Sequence, residues 1–268
     1  MEVLRRIEGG WDNLHILICR AMSSDGSRHV DFVQKTTRNL AEFKVALSIA
    51  HERIAPCIMR VYGATLMFDR FAICAEYVED AVPFALSKDT VAPLASALRQ
   101  LAQRGRRVEN RPALRRRQAW FRTLGREFFD HVGRRDEVGR ALDRIEALPF
   151  VLSHNDLVPS NLICRRSAPH DPVFVDIGSV CLNRAGADLE AFAAAGDAEG
   201  ALAEQGEFFT LLSADYAARM GLDARDVRLS ARFFAASKAL NRAINRASGS
   251  PFAEAAEHVQ AALEDLRS

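Results

Sequence analysis

The spacing of apolar and polar residues changes character near residue 90. Before that point, apolar residues fall in short β-prone clusters. "NLHILIC" (13–19) and "HVDFVQK" (29–35) read as strands, the first after a Gly9-Gly10 pair. "NLAEFKVALSIAHERI" (39–54) sets Leu40, Phe43, Leu47, Ala50 and Ile54 at helical spacing, predicting a helix with that face inward. "FAICAEYV" (71–78) is a strand of the fully buried type, and "EDAVPFALSKD" (79–89) is a polar connector with a proline. Beyond it the period becomes helical. "TVAPLASALRQLAQRG" (90–105) aligns Leu94, Leu98 and Leu101 on one face. "RPALRRRQAWFRTLGREFFDHV" (111–132) and "EVGRALDRIEAL" (137–148) continue the pattern, as does most of the chain from Ala187. Ser250-Pro251 is a cap and first-turn signal for a last helix. Two short strand-like insertions interrupt the helical part: "FVL…LI" within 150–163, and "PVFVDIGSV" (172–180), which ends in a turn. The layout is α+β: a strand-rich segment 1–78, a connector 79–90 and a larger helical segment 91–268.

Composition narrows the classes. The 268 residues suffice for one large domain or two modest ones. Hydrophobic content of 49% and charged content of 26% are ordinary for a globular chain, and a net charge of +1 gives no global field toward nucleic acid or membrane. No run approaches the roughly 20 apolar residues of a membrane span, and "MEVLRRIEGG" lacks the apolar core of a secretory signal. The five cysteines are scattered without CxxC spacing, so a reduced, cytoplasmic setting is expected. Charge is uneven. Residues 99–144 carry fourteen arginines, and 187–207 carry six carboxylates with no lysine or arginine. Solvated helix faces are the plain reading; a face toward a charged ligand is the other.

The chemistry concentrates in "FVLSHNDLVPSNLI" (150–163). Pro159 between Asp156 and Asn161 argues for a loop joining two short apolar strands. Such a loop can aim both side chains into one cleft. Fifteen residues past Asn161, Asp176 ends a strand just before a glycine turn. Two carboxylates and an amide oxygen at strand ends form a hard-oxygen set, which suits Mg²⁺ held with substrate phosphates. One Asp can hold metal with the Asn while the other accepts a hydroxyl proton, as in phosphoryl transfer.

"HNDLVPSN" followed by "VFVDIG" resembles the catalytic loop and metal-binding turn of the aminoglycoside phosphotransferase and choline kinase superfamily. The resemblance implies a protein-kinase-like, two-lobed fold, with a small N-terminal β-sheet lobe and a larger helical C-terminal lobe. It implies Asp156 as catalytic base, Asn161 and Asp176 as Mg²⁺ ligands, and His154 bracing the loop. Further parts occur in the expected order. Lys35 ends a strand and would meet the α- and β-phosphates. Glu42 on the next helix, or Glu52 near its end, would pair with Lys35. Gly9 and Gly10 would lie in the glycine-bearing loop. Backbone groups around Ala75 to Tyr77, Glu76 included, would read the adenine. Asp188 in "GADLEAF" would hold the catalytic loop through backbone amides; as a plain helix-start aspartate it would do no more than complement the helix dipole. Asn39 three residues before Glu42 also reads as a capping box.

The implied reaction moves the γ-phosphoryl of ATP, or of GTP, to a small-molecule hydroxyl with Mg²⁺. "HNDLVPSN" leans toward the choline kinase wording, whereas "VDIGSVCLNRAGAD" leans toward the aminoglycoside one. Acidic residues in 187–207 and Glu254, Glu257, Glu264 and Asp265 could line a pocket for a cationic acceptor. Trp120, Phe121, Phe208, Phe209 and Tyr216 are candidates for an aromatic cage, against a stronger prior for core. The arginines of 99–144 point instead to an anion. A protein kinase and a non-catalytic binding module on the same fold remain as alternatives. The first is disfavoured by the eleven residues between Asp176 and Asp188, the second by the intact set of Lys35, Asp156, Asn161 and Asp176.

Overall fold

A computed structural model describes residues 1–7, 13–50, 54–108, 132–194, 202–246 and 253–265. Gly9, Gly10, Glu52, Trp120, Phe121 and Ser250-Pro251 lie outside the described residues, as does nearly all of 111–132.

The N-terminal part is one antiparallel sheet of five strands: β1 (Glu2–Ile7), β2 (Asn13–Met22), β3 (His29–Thr37), β4 (Val61–Met67) and β5 (Arg70–Glu76). The order is β1-β2-β3-β5-β4. Helix α1 (Leu40–Ile49) crosses between β3 and β4. Alternation along β3 places Val33 and Lys35 on the same face, and Lys35 sits opposite Ile16 of β2 and Ile73 of β5. Three of the seven residues of strand β4 are Gly, Ala and Thr, and its end is exposed, which hides it from a hydrophobicity reading.

Helix α1 begins as predicted, with Asn39 Oδ1 accepting from the Ala41 and Glu42 amides at 3.0 and 3.2 Å. The apolar spacing holds only in part: Ile54 is in the core and Ala50 packs against it. Leu40 and Leu47 are exposed, and Val45, Ala46 and Ile49 enter the core together with the Glu42 side chain. Glu42 must face inward to meet Lys35, and that requirement rotates the helix away from the purely apolar choice. Phe43 finds a place on the sheet instead, stacked on Phe71 with ring centres 4.4 Å apart. The helix also stops at Ile49, before Ile54.

The connector is less polar than it reads. Its Ala81–Pro83 stretch forms a strand, β6, paired with β8 (Leu162–Arg165), which in turn pairs with β9 (Ala168–Phe174). Strands β7 (Phe150–Ser153) and β10 (Cys181–Arg184) form a separate two-stranded ladder. The helices are α2 (Lys88–Val108), α3 (Arg135–Ala147), α4 (Glu190–Ala194), α5 (Leu202–Met220), α6 (Ala224–Arg246) and α7 (Ala253–Asp265).

The main core joins the two parts. Val45, Ala46 and Ile49 of α1 share a cluster with Leu94, Leu98 and Leu101 of α2 and with Leu152, Leu157 and Phe174 around the catalytic-type loop. The three leucines of α2 are each at most 3% exposed, so each contributes about 1.5–3 kcal/mol of burial. A second cluster packs α3, α6 and α7 through Leu142, Ile145, Phe233, Leu240 and Val259. Phe208, Phe209 and Tyr216 are core residues of the main cluster and are unavailable for a cage. None of the five cysteines is in a disulfide, and no helix among the described residues is long and apolar enough to cross a membrane.

Candidate active site

The loop after β7 is held from beneath by one carboxylate. Asp188 Oδ1 accepts from Ser153 Oγ at 2.7 Å and from the Asn155 amide at 2.7 Å, and Oδ2 accepts from the His154 amide at 3.1 Å. Asn155 occupies the left-handed region (φ 63°), a conformation that Asn tolerates better than most residues. Its side-chain oxygen accepts from Asn183 Nδ2 at 2.9 Å. Asp188 reaches the loop because Gly186 turns the chain with φ 91°, and a Cβ there would lie 2.6 Å from the Val227 carbonyl. Gly186 is therefore required twice over, by its dihedral and by its neighbour.

His154 is fully buried and contacts the Val175 carbonyl through Nε2 at 2.8 Å. A carbonyl only accepts, so Nε2 carries the proton. Burial pushes the imidazole's pKa down, overcoming the upward pull of Asp188, the Val175 carbonyl and the nearby Asp156 and Asp176 carboxylates. A neutral ring ties the loop to the strand that delivers Asp176.

Asn161 ends the short 3-10 turn Pro159–Asn161. Its Nδ2 donates to the Asp156 carbonyl at 2.8 Å, which leaves its amide oxygen as the outward acceptor. Its own carbonyl accepts from the Val175 amide at 3.0 Å, locking the loop against the next strand. Asp176 follows in left-handed geometry (φ 58°), which turns its carboxylate out of line with β9.

Across from Asp176 stands Lys35. Its ammonium lies 2.5 Å from Glu42 Oε1 and 2.8 Å from Asp176 Oδ1. Burial works to lower the Lys35 pKa, but the Glu42 and Asp176 carboxylates outweigh it and the net direction is upward. Glu42 makes this pair rather than closing the capping box. Its side chain runs over Gly178, where a Cβ would sit 2.9 Å from Glu42 Cγ. The glycine of "DIG" is thus a packing requirement between α1 and the Asp176 turn.

Lys35, Glu42 and Asp176 line a cavity of about 280 Å³ between the sheet and the helical part. Ile16, Val33, Ile73 and Ala75 form its apolar wall, with Glu76, Tyr77 and Val78 at the strand end and Ile163, Val175 and Ile177 opposite. The Glu76 side chain is held by Arg165 at 3.0 Å and by the Arg60 amide at 3.3 Å, fixing the backbone where the sheet passes into the connector.

Two neighbours of Asp156 were not legible beforehand. Lys238 of α6 places its ammonium 3.2 Å from Asp156 Oδ1 and 2.5 Å from Glu190 Oε1. Glu190 is 3% exposed, and burial pushes its carboxyl up to about 7 against the pull of Lys238. Three of the six acids of 187–207 have described side chains, and each is paired. Asp188 holds the loop, Glu190 holds Lys238, and Glu207 pairs with Lys88 at 2.7 Å. Glu257 and Glu264 lie on the exposed face of α7.

Asp176 and Asn161 fit Mg²⁺ by donor chemistry: one carboxylate and one outward amide oxygen, both hard ligands. Among the described residues no group of three or more His, Cys, Asp or Glu side chains forms a metal cage. A metal here would take its remaining ligands from phosphate and water.

No family model and no curated protein matches the chain. Solved structures do. A choline/ethanolamine kinase family protein from Mesorhizobium loti superposes with a TM-score of 0.59 at 14% identity, covering 98% of this chain and 88% of that one. An aminoglycoside phosphotransferase in complex with GDP and kanamycin gives 0.58 at 12% identity, covering 100% and 94%. Another, from Alicyclobacillus acidocaldarius, gives 0.57 at 15% identity, covering 100% and 92%. The chain has the two-lobed, protein-kinase-like fold of these structures. It spans nearly the full length of these structures.

Proposed function

We propose that this protein is a phosphotransferase that moves the γ-phosphoryl group of ATP, or of GTP, to a hydroxyl of a small molecule, aminoglycoside-like or an amino-alcohol such as choline. One observation carries the reading. Lys35 is clamped between Glu42 and Asp176 on the wall of a nucleotide-sized cavity, beside a loop that presents Asp156 and Asn161. The shared fold supports it. One solved relative is a complex with GDP and kanamycin, another with ADP and hygromycin B.

In this reading, residues 1–78 form the nucleotide lobe, 79–90 the hinge, and 91–268 the catalytic and acceptor lobe of a cytoplasmic enzyme. The base stacks in the apolar wall, and backbone groups of Glu76 and Tyr77 read its edge. Gly9 and Gly10 belong to the loop over the phosphates. Lys35 contacts the α- and β-phosphates, and Glu42 keeps it there. Asn161 and Asp176 would hold Mg²⁺, whose chemistry is charge neutralisation on the phosphates. Asp156 orients the acceptor hydroxyl and takes its proton as the oxygen bonds to phosphorus. The bond from phosphorus to the bridging oxygen breaks, and its electron pair leaves with the nucleoside diphosphate. Most of the rate gain comes from positioning and charge stabilisation. A macromolecular protein acceptor is disfavoured because the eleven residues between Asp176 and Asp188 hold a 3-10 turn and β10, with no room for a long segment that would seat a peptide.

Calorimetric titration with Mg-ATP and Mg-GTP tests the reading. Wild type should bind at least one. Lys35→Met should weaken binding about tenfold or more, the cost of a lost charge-assisted contact, while Asp156→Ala should bind like wild type. Absence of binding by the folded wild type to either nucleotide would overturn the proposal.

A further inference from the structure

Lys238 is unexplained by the reaction as described so far. It comes from α6, 82 positions along the chain from Asp156, yet its ammonium is 3.2 Å from Asp156 Oδ1. Its other partner, Glu190 Oε1 at 2.5 Å, is buried beneath it. A buried carboxylate needs a partner, but Lys238 does more than satisfy Glu190. Its side chain retains 27% exposure and extends to the one carboxylate of the loop that faces an acceptor. The cavity wall includes Lys35, Glu42 and Asp176 but not Asp156, Glu190 or Lys238. Among the described residues the site therefore carries two cations. Lys35 belongs to the nucleotide cavity, and Lys238 stands where the acceptor must arrive.

Distances define what Lys238 can touch. An acceptor hydroxyl bonded to Asp156 sits about 2.7 Å from its carboxylate oxygen. The phosphorus under attack lies about 3–3.5 Å beyond that hydroxyl oxygen. The Lys238 ammonium lies 3.2 Å from Asp156 Oδ1, beside the place that such a hydroxyl would take. The transferring group spreads its charge over three equatorial oxygens, and a cation placed against them lowers the barrier.

We propose that Lys238 is a further catalytic residue, anchored by Glu190, whose ammonium moves from Asp156 onto the oxygens of the γ-phosphoryl group during transfer. The inference rests on the phosphotransferase reading above. Lys238 donates hydrogen bonds only. The new O–P bond, the broken P–O bond and the proton on Asp156 are those already described. The oxygens of the transferring group compete with Asp156 for the ammonium, so Lys238 stabilises the transition state with or without the acceptor bound.

The test compares affinity for Mg-ADP with affinity for Mg-ADP plus aluminium fluoride, whose fluoride complex mimics the phosphoryl group in flight. Wild type should bind the fluoride complex at least about tenfold more tightly than Mg-ADP alone, the scale of a charge-assisted contact made only in the transition state. Lys238→Met should lose that preference while keeping Mg-ADP affinity within about twofold, and Lys238→Arg should restore most of it. The loss should persist when Asp156→Ala is the background, because a direct contact does not act through Asp156. If Lys238→Met fails to fold, the Lys238→Met/Glu190→Gln pair, which removes both partners of the ion pair, carries the same comparison. Retention of the full fluoride preference without Lys238 would overturn the inference, and so would disappearance of the Lys238 effect in the Asp156→Ala background. In either case intact Mg-ADP binding by wild type leaves the kinase reading standing. Failure of wild type to bind Mg-ADP would remove both.

Discussion

Replacing Asp188 by Asn should loosen the whole catalytic-type loop. In the native protein three donors converge on this carboxylate: Ser153 Oγ and the Asn155 amide on Oδ1, and the His154 amide on Oδ2. All three donor residues are buried, at 5% exposure or less. The amide of Asn offers a single oxygen. Turned toward Ser153 and Asn155, that oxygen keeps two bonds but loses their charge assistance, and its NH₂ then faces the His154 N–H. One buried donor is left unsatisfied at about 1–3 kcal/mol, and two bonds weaken by several tenths each. The expected loss is about 2–4 kcal/mol. Asp188→Ala removes every acceptor and should cost more, about 3–6 kcal/mol. Asp215→Asn is the control. Asp215 meets Arg219 one helical turn away, at 3.0 Å and about a third exposed, so its loss should stay below about 0.5 kcal/mol. Urea unfolding at fixed pH measures all three. A loss below about 1 kcal/mol for Asp188→Asn, or equality with the Asp215 control, would refute the claim that this carboxylate holds the loop.

Gly178→Ala should push the Glu42 side chain off Lys35, since the new Cβ would lie 2.9 Å from Glu42 Cγ and 3.2 Å from Oε1; nucleotide affinity measured by titration should fall about tenfold, and an unchanged affinity would mean Glu42 does not hold Lys35 for the phosphates. Gly186→Ala should destabilise by more than about 2 kcal/mol in urea, because its left-handed φ and the Val227 carbonyl at 2.6 Å both oppose a side chain. Glu190 gives a pH signature. Its carboxyl rises from 4.5 to about 7 on folding, because burial outweighs Lys238, and Asp188 and Asp156 raise it further. A raised carboxyl contributes stability that is complete below the unfolded value and lost as pH climbs through 7, about 3 kcal/mol in all. Wild type should therefore lose more stability between pH 5 and pH 8 than Glu190→Gln does, and equal losses would contradict the burial of an ionisable Glu190.

The chemistry of the site was legible where its residues are close in sequence or tied to element ends. Asp156, Asn161 and Asp176 sit on one loop and one strand end, and polar residues bracketed by apolar strands announce themselves. Lys35 and Glu42 were readable because a strand end and a helix start fix their relative place within seven residues. Lys238 was not. A lysine in "FFAASKALN" looks like the solvated face of an amphipathic helix, and only tertiary packing carries α6 to the loop. Glu190 was hidden the same way, as one acid in an acidic stretch. The face of α1 was partly misread because the charged Glu42 had to turn inward, so the hydrophobic spacing of Leu40 and Leu47 lost to an ion pair. Phe208, Phe209 and Tyr216 show the converse: aromatics near a site in sequence are core in the fold.

Release of nucleoside diphosphate from wild type and Asp156→Ala, with Mg-ATP or Mg-GTP and a panel of aminoglycosides, choline, ethanolamine, sugars and macrolides, tests the central claim most directly. The account predicts release that depends on one class of acceptor and falls about 10²–10⁴-fold in Asp156→Ala, with nucleotide binding intact. Wild-type turnover by the variant would contradict it, as would a wild type that binds Mg-nucleotide and transfers nothing to any hydroxyl offered.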